Sequence, residues 1–265
     1  MARNGPLVSG PGPQSVPQLL DAGLRLYLRH FGLLFPVPLI AGLVTWLVEF
    51  SAKPVAVRAP ALPAPLRVLG GVQGLVPPAG AELLAVVVRG LASVLLLVMV
   101  ARVATDPGEP SLGEASGAAL RCLWPLVVVG VVVAVCAGLG TFLLVVPGVF
   151  LFTRWAVAGA AAVVEGRRAS SALGRSWSLV RGHFWHTLGA AFFAAIVSWI
   201  VLLVGTLAGL LFAGIPGRVG LEVRLLWQEG VAALVAPYLA SVLVLLFADL
   251  RARKEGTDLG GPALG

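Results

Sequence analysis

Charge is what this 265-residue chain has least of: 12% of its residues are Asp, Glu, Lys or Arg, about half the usual share in soluble domains. A soluble fold of this size could not cover its surface with so few, so a soluble enzyme is excluded. Cysteine is nearly absent too. Cys122 and Cys136 share one apolar run, fourteen residues apart. On a helix that is about 21 Å of rise, far beyond the roughly 4.4–6.8 Å Cα separation of a disulfide. Neither has a His or an acid at metal-ligand spacing, so both read as packing residues. Missing as well are GxSxG, GxxxxGK[ST], any Cys/His set and any pair of acids inside an apolar run. These absences leave no catalytic residue, cofactor or metal site to expect.

What is present is apolar. Hydrophobic residues make up 58% of the chain, and mean hydropathy is +0.97. Runs near the roughly twenty residues that cross a bilayer fall at Phe31–Phe50, about Glu82–Val103, about Leu123–Leu144, the stretch after Val145-Val146-Pro147-Gly148 up to Val164, about Thr187–Ala213 and about Val231–Leu250. The fold class is all-α: a polytopic membrane protein of about six transmembrane helices, with two juxtamembrane amphipathic helices. Residues 1–15 and 259–265 read as disordered ends of one membrane domain over 16–258. Six prolines mark residues 51–80 as a loop. Residues 215–230 read as a loop with a short interfacial helix carrying Trp227.

The first amphipathic segment, about Val16–His30, repeats Leu19, Leu20, Leu24 and Tyr27 at helical spacing and is expected to lie on the headgroups. In the second, about residues 168–184, Ala169, Leu173, Trp177, Val180 and Phe184 form one apolar face. That face is expected to insert at a cytoplasmic headgroup boundary. Arg168, Arg175 and Arg181 would meet anionic lipid phosphates or water, and Gly182 would turn the chain into the fifth span. His183 and His186 read better as interfacial anchors than as half of a metal site.

Basic residues exceed acidic ones by 19 to 12, but no basic stripe alternates with aromatics, so nucleic acid is not an expected partner. The excess reads as topology. With the N-terminus inside, cytoplasmic segments hold twelve Lys/Arg and outer loops five, which favours both termini in the cytoplasm. The remaining two arginines, Arg89 and Arg154, fall inside apolar runs. Arg89 can snorkel or pair with Glu49 or Glu82. Arg154 has no acid at its own depth and reads either as an anion contact or as a packing residue bonded to carbonyls. Arg25–Phe31 and Arg175–Phe184 share an aromatic, a pair of arginines and a final His-Phe. That is the pattern of an ancestral repeat, or simply of helices entering headgroups, and the second is favoured.

A central block runs Val146-Pro147-Gly148-Val-Phe-Leu-Phe-Thr-Arg154, then Val163-Val-Glu165, then Ala172 to Gly182 with Arg175, Trp177 and Arg181, then Phe184-Trp185. With the ending Asp249-Leu-Arg251-Ala-Arg-Lys-Glu255, it resembles the membrane domain attached to some bacterial glycerophosphoryl diester phosphodiesterases, which also occurs alone. The resemblance covers most of residues 16–258. It implies six membrane helices in a bacterial plasma membrane, with Pro147, Gly148, Glu165, Trp177, Gly182, Asp249 and Arg251 as motif positions. It does not imply phosphodiesterase activity, because the catalytic barrel of those enzymes is a separate soluble domain of roughly 250 residues. The family's proline between the Arg and the Glu is replaced here by Ala158-Gly-Ala-Ala161, which removes the residue expected to kink span four. The resulting expectation is a non-enzymatic protein that organises lipids or partner membrane proteins at the cytoplasmic face. The alternative is a small carrier using Arg154 as its anion contact.

Overall fold

A computed structural model describes residues 14–52, 79–105, 112–143, 145–215 and 217–255. Most of the loop expected over 51–80, most of both terminal segments and Leu144 lie outside them; the hairpin expected at Val145-Val146-Pro147-Gly148 is instead the first turn of a helix. Among the described residues all regular structure is helical: α1 Val16–Arg29, α2 Phe31–Leu34, α3 Pro36–Ala52, α4 Ala79–Thr105, α5 Leu112–Leu143, α6 Val145–Trp155, α7 Ala158–Val164, α8 Ala169–Val180, α9 Phe184–Gly209 and α10 Gly217–Glu255, with a 3-10 turn at Leu210–Gly214.

Five stretches are long and apolar enough to cross a membrane: Phe31–Ser51, Leu83–Thr105, Val146–Val164, Phe184–Phe212 and Val219–Glu255. The third expected span lies in α5, where the described apolar stretch, Arg121–Val133, is shorter. The outer faces of these helices are apolar. On α9 alone Phe192, Phe193, Trp199, Ile200 and Leu207 are exposed. Water would not tolerate so continuous an apolar surface, and a hydrocarbon core would. The architecture is that of a membrane-embedded, multi-pass protein.

The post of the bundle is α10. Val242, Leu246, Phe247 and Leu250 are fully buried in one core with Leu19 and Leu26 of α1, Met99 and Val100 of α4 and Ala190 of α9. The loop expected over 215–230 is confined to its start: after the bend at Ile215, α10 begins at Gly217 and runs for 39 residues, Gly230 included, about 58 Å at 1.5 Å per residue. Its first turns lie over the end of α9, where Trp227 Nε1 donates to the Gly205 carbonyl at 2.7 Å.

The apolar stripe of α1 also departs from expectation. Ser15 N–H donates to Gln18 Oε1 at 3.0 Å and starts the helix. Leu19, Gly23, Leu26 and Tyr27 then recur on one face and are buried against the protein. Gly23 makes this approach possible, since a Cβ there would stand 2.7 Å from Val242 Cγ2 and 3.4 Å from its Cα. The stripe packs on α10 instead of lipid.

Span four is interrupted without a proline. The helix stops at Trp155, turns through Ala156 and Val157, and restarts at Ala158. Ala156 N–H reaches back only to the Thr153 carbonyl, at 3.4 Å. The Thr153 hydroxyl donates to the Val149 carbonyl at 2.7 Å, a back-bond that bends helices. The Arg154 carbonyl, at the break, accepts instead from the Ser176 hydroxyl of α8 at 2.8 Å. The kink that the missing proline had removed from expectation is therefore present, produced by Thr153 and stabilised from a neighbouring helix.

Candidate functional site

Most of the motif residues meet at one end of the bundle, where α8 lies against the last turns of α10. Glu165 closes α7. Gly166, at φ 61°, and Gly182, at φ 96°, make the turns on either side of α8, in a backbone region that costs other residues free energy. Gly182 thus turns the chain into α9, as the sequence suggested.

Arg175 projects from α8 to Glu165, donating from Nε at 3.0 Å and from Nη2 at 2.9 Å to the same Oε1, and to Glu255 at 2.5 Å. Arg167 pairs with the other side of Glu165, and Arg251 with Glu255 at 3.1 Å. The result is an alternating chain of three arginines and two glutamates joining the α7–α8 turn to the last turns of α10. Burial alone would make Arg175 easier to deprotonate; its hydrogen bonds and charge contacts with Glu165 and Glu255 outweigh that and raise its pKa.

A second knot forms around Asp249, only 3% exposed at its side chain. It accepts from Gln14 N–H at 2.7 Å, from Arg253 Nε at 2.7 Å and faces His186 Nε2 at 3.0 Å. Arg253 also donates to the Gln14 carbonyl at 2.5 Å, and Lys254 donates to the Ser178 carbonyl of α8. Sequence reasoning singled out Asp249 and Arg251, read His186 as an interfacial anchor and not as a neighbour of Asp249, and gave no role to Gln14, Arg253 and Glu255. The four-residue spacings Asp249–Arg253 and Arg251–Glu255 were legible as same-face helix pairs; the Gln14 and His186 contacts span 235 and 63 residues and left no local trace.

The face that α8 buries is Ala172, Ser176, Leu179 and Val180, not the stripe expected to enter lipid. Val180 is fully buried within the protein, whereas Trp177 is 37% exposed. Arg175 is engaged by Glu165 and Glu255, so the arginines of this segment that remain exposed are Arg168 and Arg181, which make no ion pair among the described residues. Trp185 beside them is 80% exposed. Pro147 and Gly148 sit in the first turn of α6, where the N–H that proline lacks has no helical partner anyway, and they take no part in these ion pairs.

Arg154 is covered by aromatic rings. Its guanidinium carbon lies 4.7 Å from the Trp177 ring centre and 5.1 Å from that of Phe150. Nη1 stands 3.5 Å from the Trp177 carbonyl, and Nε is buried without a partner. An unpaired buried donor costs about 1–3 kcal/mol, and ring contacts return about 0.5–2 kcal/mol. The two terms nearly cancel. Arg154→Leu is therefore expected to leave thermal unfolding of the purified chain within about 1 kcal/mol of wild type. A large loss of stability would show that Arg154 holds the α6–α8 contact through stronger bonds.

Among the described residues no three His, Cys, Asp or Glu side chains converge as a metal set. The arrangement can hold charge and present it, with Arg168 and Arg181 on its outer side. In comparisons with protein-family models, curated proteins and solved structures, nothing matches this chain.

Proposed function

We propose that this chain is a non-enzymatic integral membrane protein of the glycerophosphoryl diester phosphodiesterase membrane-domain type, resident in a bacterial plasma membrane. In this reading it gathers anionic lipids, or partner membrane proteins, at its cytoplasmic face. The observation that supports it most is the charge division on the α8 segment. Arg175 is consumed internally by Glu165 and Glu255, while Arg168 and Arg181 are left exposed beside the partly exposed Trp177 and the exposed Trp185. Ion pairing fixes the helix, and its spare charge and interfacial aromatics are then free for headgroups.

Native mass spectrometry of the full chain, released from nanodiscs of mixed phosphatidylglycerol and phosphatidylcholine, tests this. Wild type is expected to retain phosphatidylglycerol preferentially. The double variant Arg168→Gln/Arg181→Gln, losing roughly 1 kcal/mol per arginine, should bind it roughly thirtyfold more weakly. Equal retention by both proteins would remove the lipid half of the proposal.

Orientation follows from the same reading. Gln14 bonds Asp249 and Arg253, so the first and last described segments meet at one end of the bundle. The excess of basic residues there supports a cytoplasmic position for that end. Reporter fusions after Gly256 are expected to be active only inside the cell, and fusions after Pro63 only outside. A reversed pattern at either position would overturn the six-span topology.

A further inference from the structure

At the opposite end of the bundle a cavity of about 580 Å³ opens between α3, α4, α9 and α10, a volume in the range of small-molecule sites. Small residues make the room: Ala41, Gly42, Ala92, Ala232, Ala233 and Ala236 line it. Three ionisable groups meet at its mouth. Arg89 pairs with Glu229 and lies 3.7 Å from Glu49; Arg89 and Glu229 line the cavity itself. Gly42 lets Glu229 in, since a Cβ there would stand 3.0 Å from Glu229 Oε2 and 3.2 Å from its Cβ.

We infer that this cavity binds a molecule carrying one positive charge on an apolar body, the charge seated against Glu229 in the cavity wall, with Glu49 beside it across Arg89. The argument is charge complementarity within an apolar wall. Two carboxylates face one guanidinium, so with both ionised this group of described residues carries one negative charge that Arg89 does not balance. An uncompensated charge in low-dielectric surroundings is costly until a counter-charge arrives. The hydroxyls nearby do not supply it: Ser93 donates to the Arg89 carbonyl and Thr206 to the Leu202 carbonyl, both at 2.8 Å. An anion would need Arg89 free, and Arg89 is already paired. A cation needs only the excess negative charge that one guanidinium shares between two carboxylates, which it can meet at the Glu229 oxygens, and the Ala, Leu and Val walls take its apolar body. A free organic cation and the ammonium of a phosphatidylethanolamine headgroup both have this chemistry.

The probe is tetraphenylphosphonium, titrated by calorimetry into the full chain in neutral maltoside micelles, with tetraphenylborate as the same shape of opposite charge. Retained phosphatidylethanolamine is measured in parallel by native mass spectrometry. Glu229→Gln leaves Arg89 balanced by Glu49, so it is expected to fold while binding about tenfold more weakly or worse. Ala233→Phe fills the cavity without touching charge and should also abolish binding. Saturable phosphonium binding that both variants lose identifies a free organic cation. Phosphatidylethanolamine retained by wild type alone, with phosphonium ignored, identifies the lipid headgroup. If tetraphenylborate binds as well as the phosphonium, if Glu229→Gln binds the phosphonium like wild type, or if neither ligand is held, the inference fails.

Discussion

Asp249→Ala is expected to lower the stability of the protein by about 3–5 kcal/mol, the cost of breaking one side of a buried charged network. In a thermal unfolding scan of the detergent-solubilised chain, that is a fall of roughly 10 °C. The size follows from what is stranded. Without the carboxylate, the Gln14 N–H and Arg253 Nε lose the acceptor each holds at 2.7 Å, and His186 Nε2 loses the carboxylate oxygen that faces it at 3.0 Å. Asp249→Asn keeps an oxygen for Gln14 and gives up only the charge, so about half the loss is expected. An unfolding temperature unchanged in Asp249→Ala would show that the knot contributes nothing to holding the chain ends together.

Gly23→Leu is expected to detach α1. Even a methyl group at this position meets Val242 Cγ2 at 2.7 Å and the Val242 backbone at 3.4 Å, so a leucine has nowhere to go but between the helices. Overpacking of this kind costs about 1–3 kcal/mol by itself. Lifting α1 away would also expose Leu19 and Leu26, both fully buried, at about 1.5–3 kcal/mol each. Trypsin reports the outcome. Cleavage at Arg25 and Arg29 should accelerate strongly in Gly23→Leu and only modestly in Gly23→Ala. Val242→Ala should partly restore Gly23→Ala by clearing the clashing methyl. Unchanged protection of Arg25 in Gly23→Leu would mean that α1 is not held by this contact.

The periodic and compositional features of this fold were legible in the sequence. Apolar runs located five spanning helices, and Leu19 and Tyr27 of the expected α1 stripe are buried, although Leu26 takes the place of the exposed Leu24. Gly182 marked the turn between α8 and α9. What the stripes bury against was not legible, because an amphipathic helix presents the same pattern to lipid and to protein. Thus the stripe of α1 packs inward on α10 through Gly23, and α8 buries Ala172, Ser176 and Leu179 while Trp177 stays partly exposed. The break at Ala156–Val157 escaped notice for a similar reason. It depends on the Thr153 hydroxyl and on a partner, Ser176, 22 residues away from Arg154, and neither has the signature of a proline. At the candidate site the arginines were visible one by one, but which of them is neutralised was decided by Glu255, at the far end of α10.

The bond between Gln14 and Asp249 joins residues 235 positions apart, which sets an order of events during synthesis. At the usual 5–20 residues per second, α1 leaves the ribosome roughly 10 to 50 seconds before the helix segment that will cover it. Throughout that interval Leu19 and Leu26 have no α10 to pack on, and an amphipathic helix without a partner rests in the interfacial layer of the bilayer. The membrane thus acts as a temporary companion for α1, released only when the final span enters and its last turn latches the start of the chain. A nascent chain stopped before Asp249 would retain its early spans but carry an unlatched, surface-adsorbed first helix, a form that a membrane protease can tell from the finished protein.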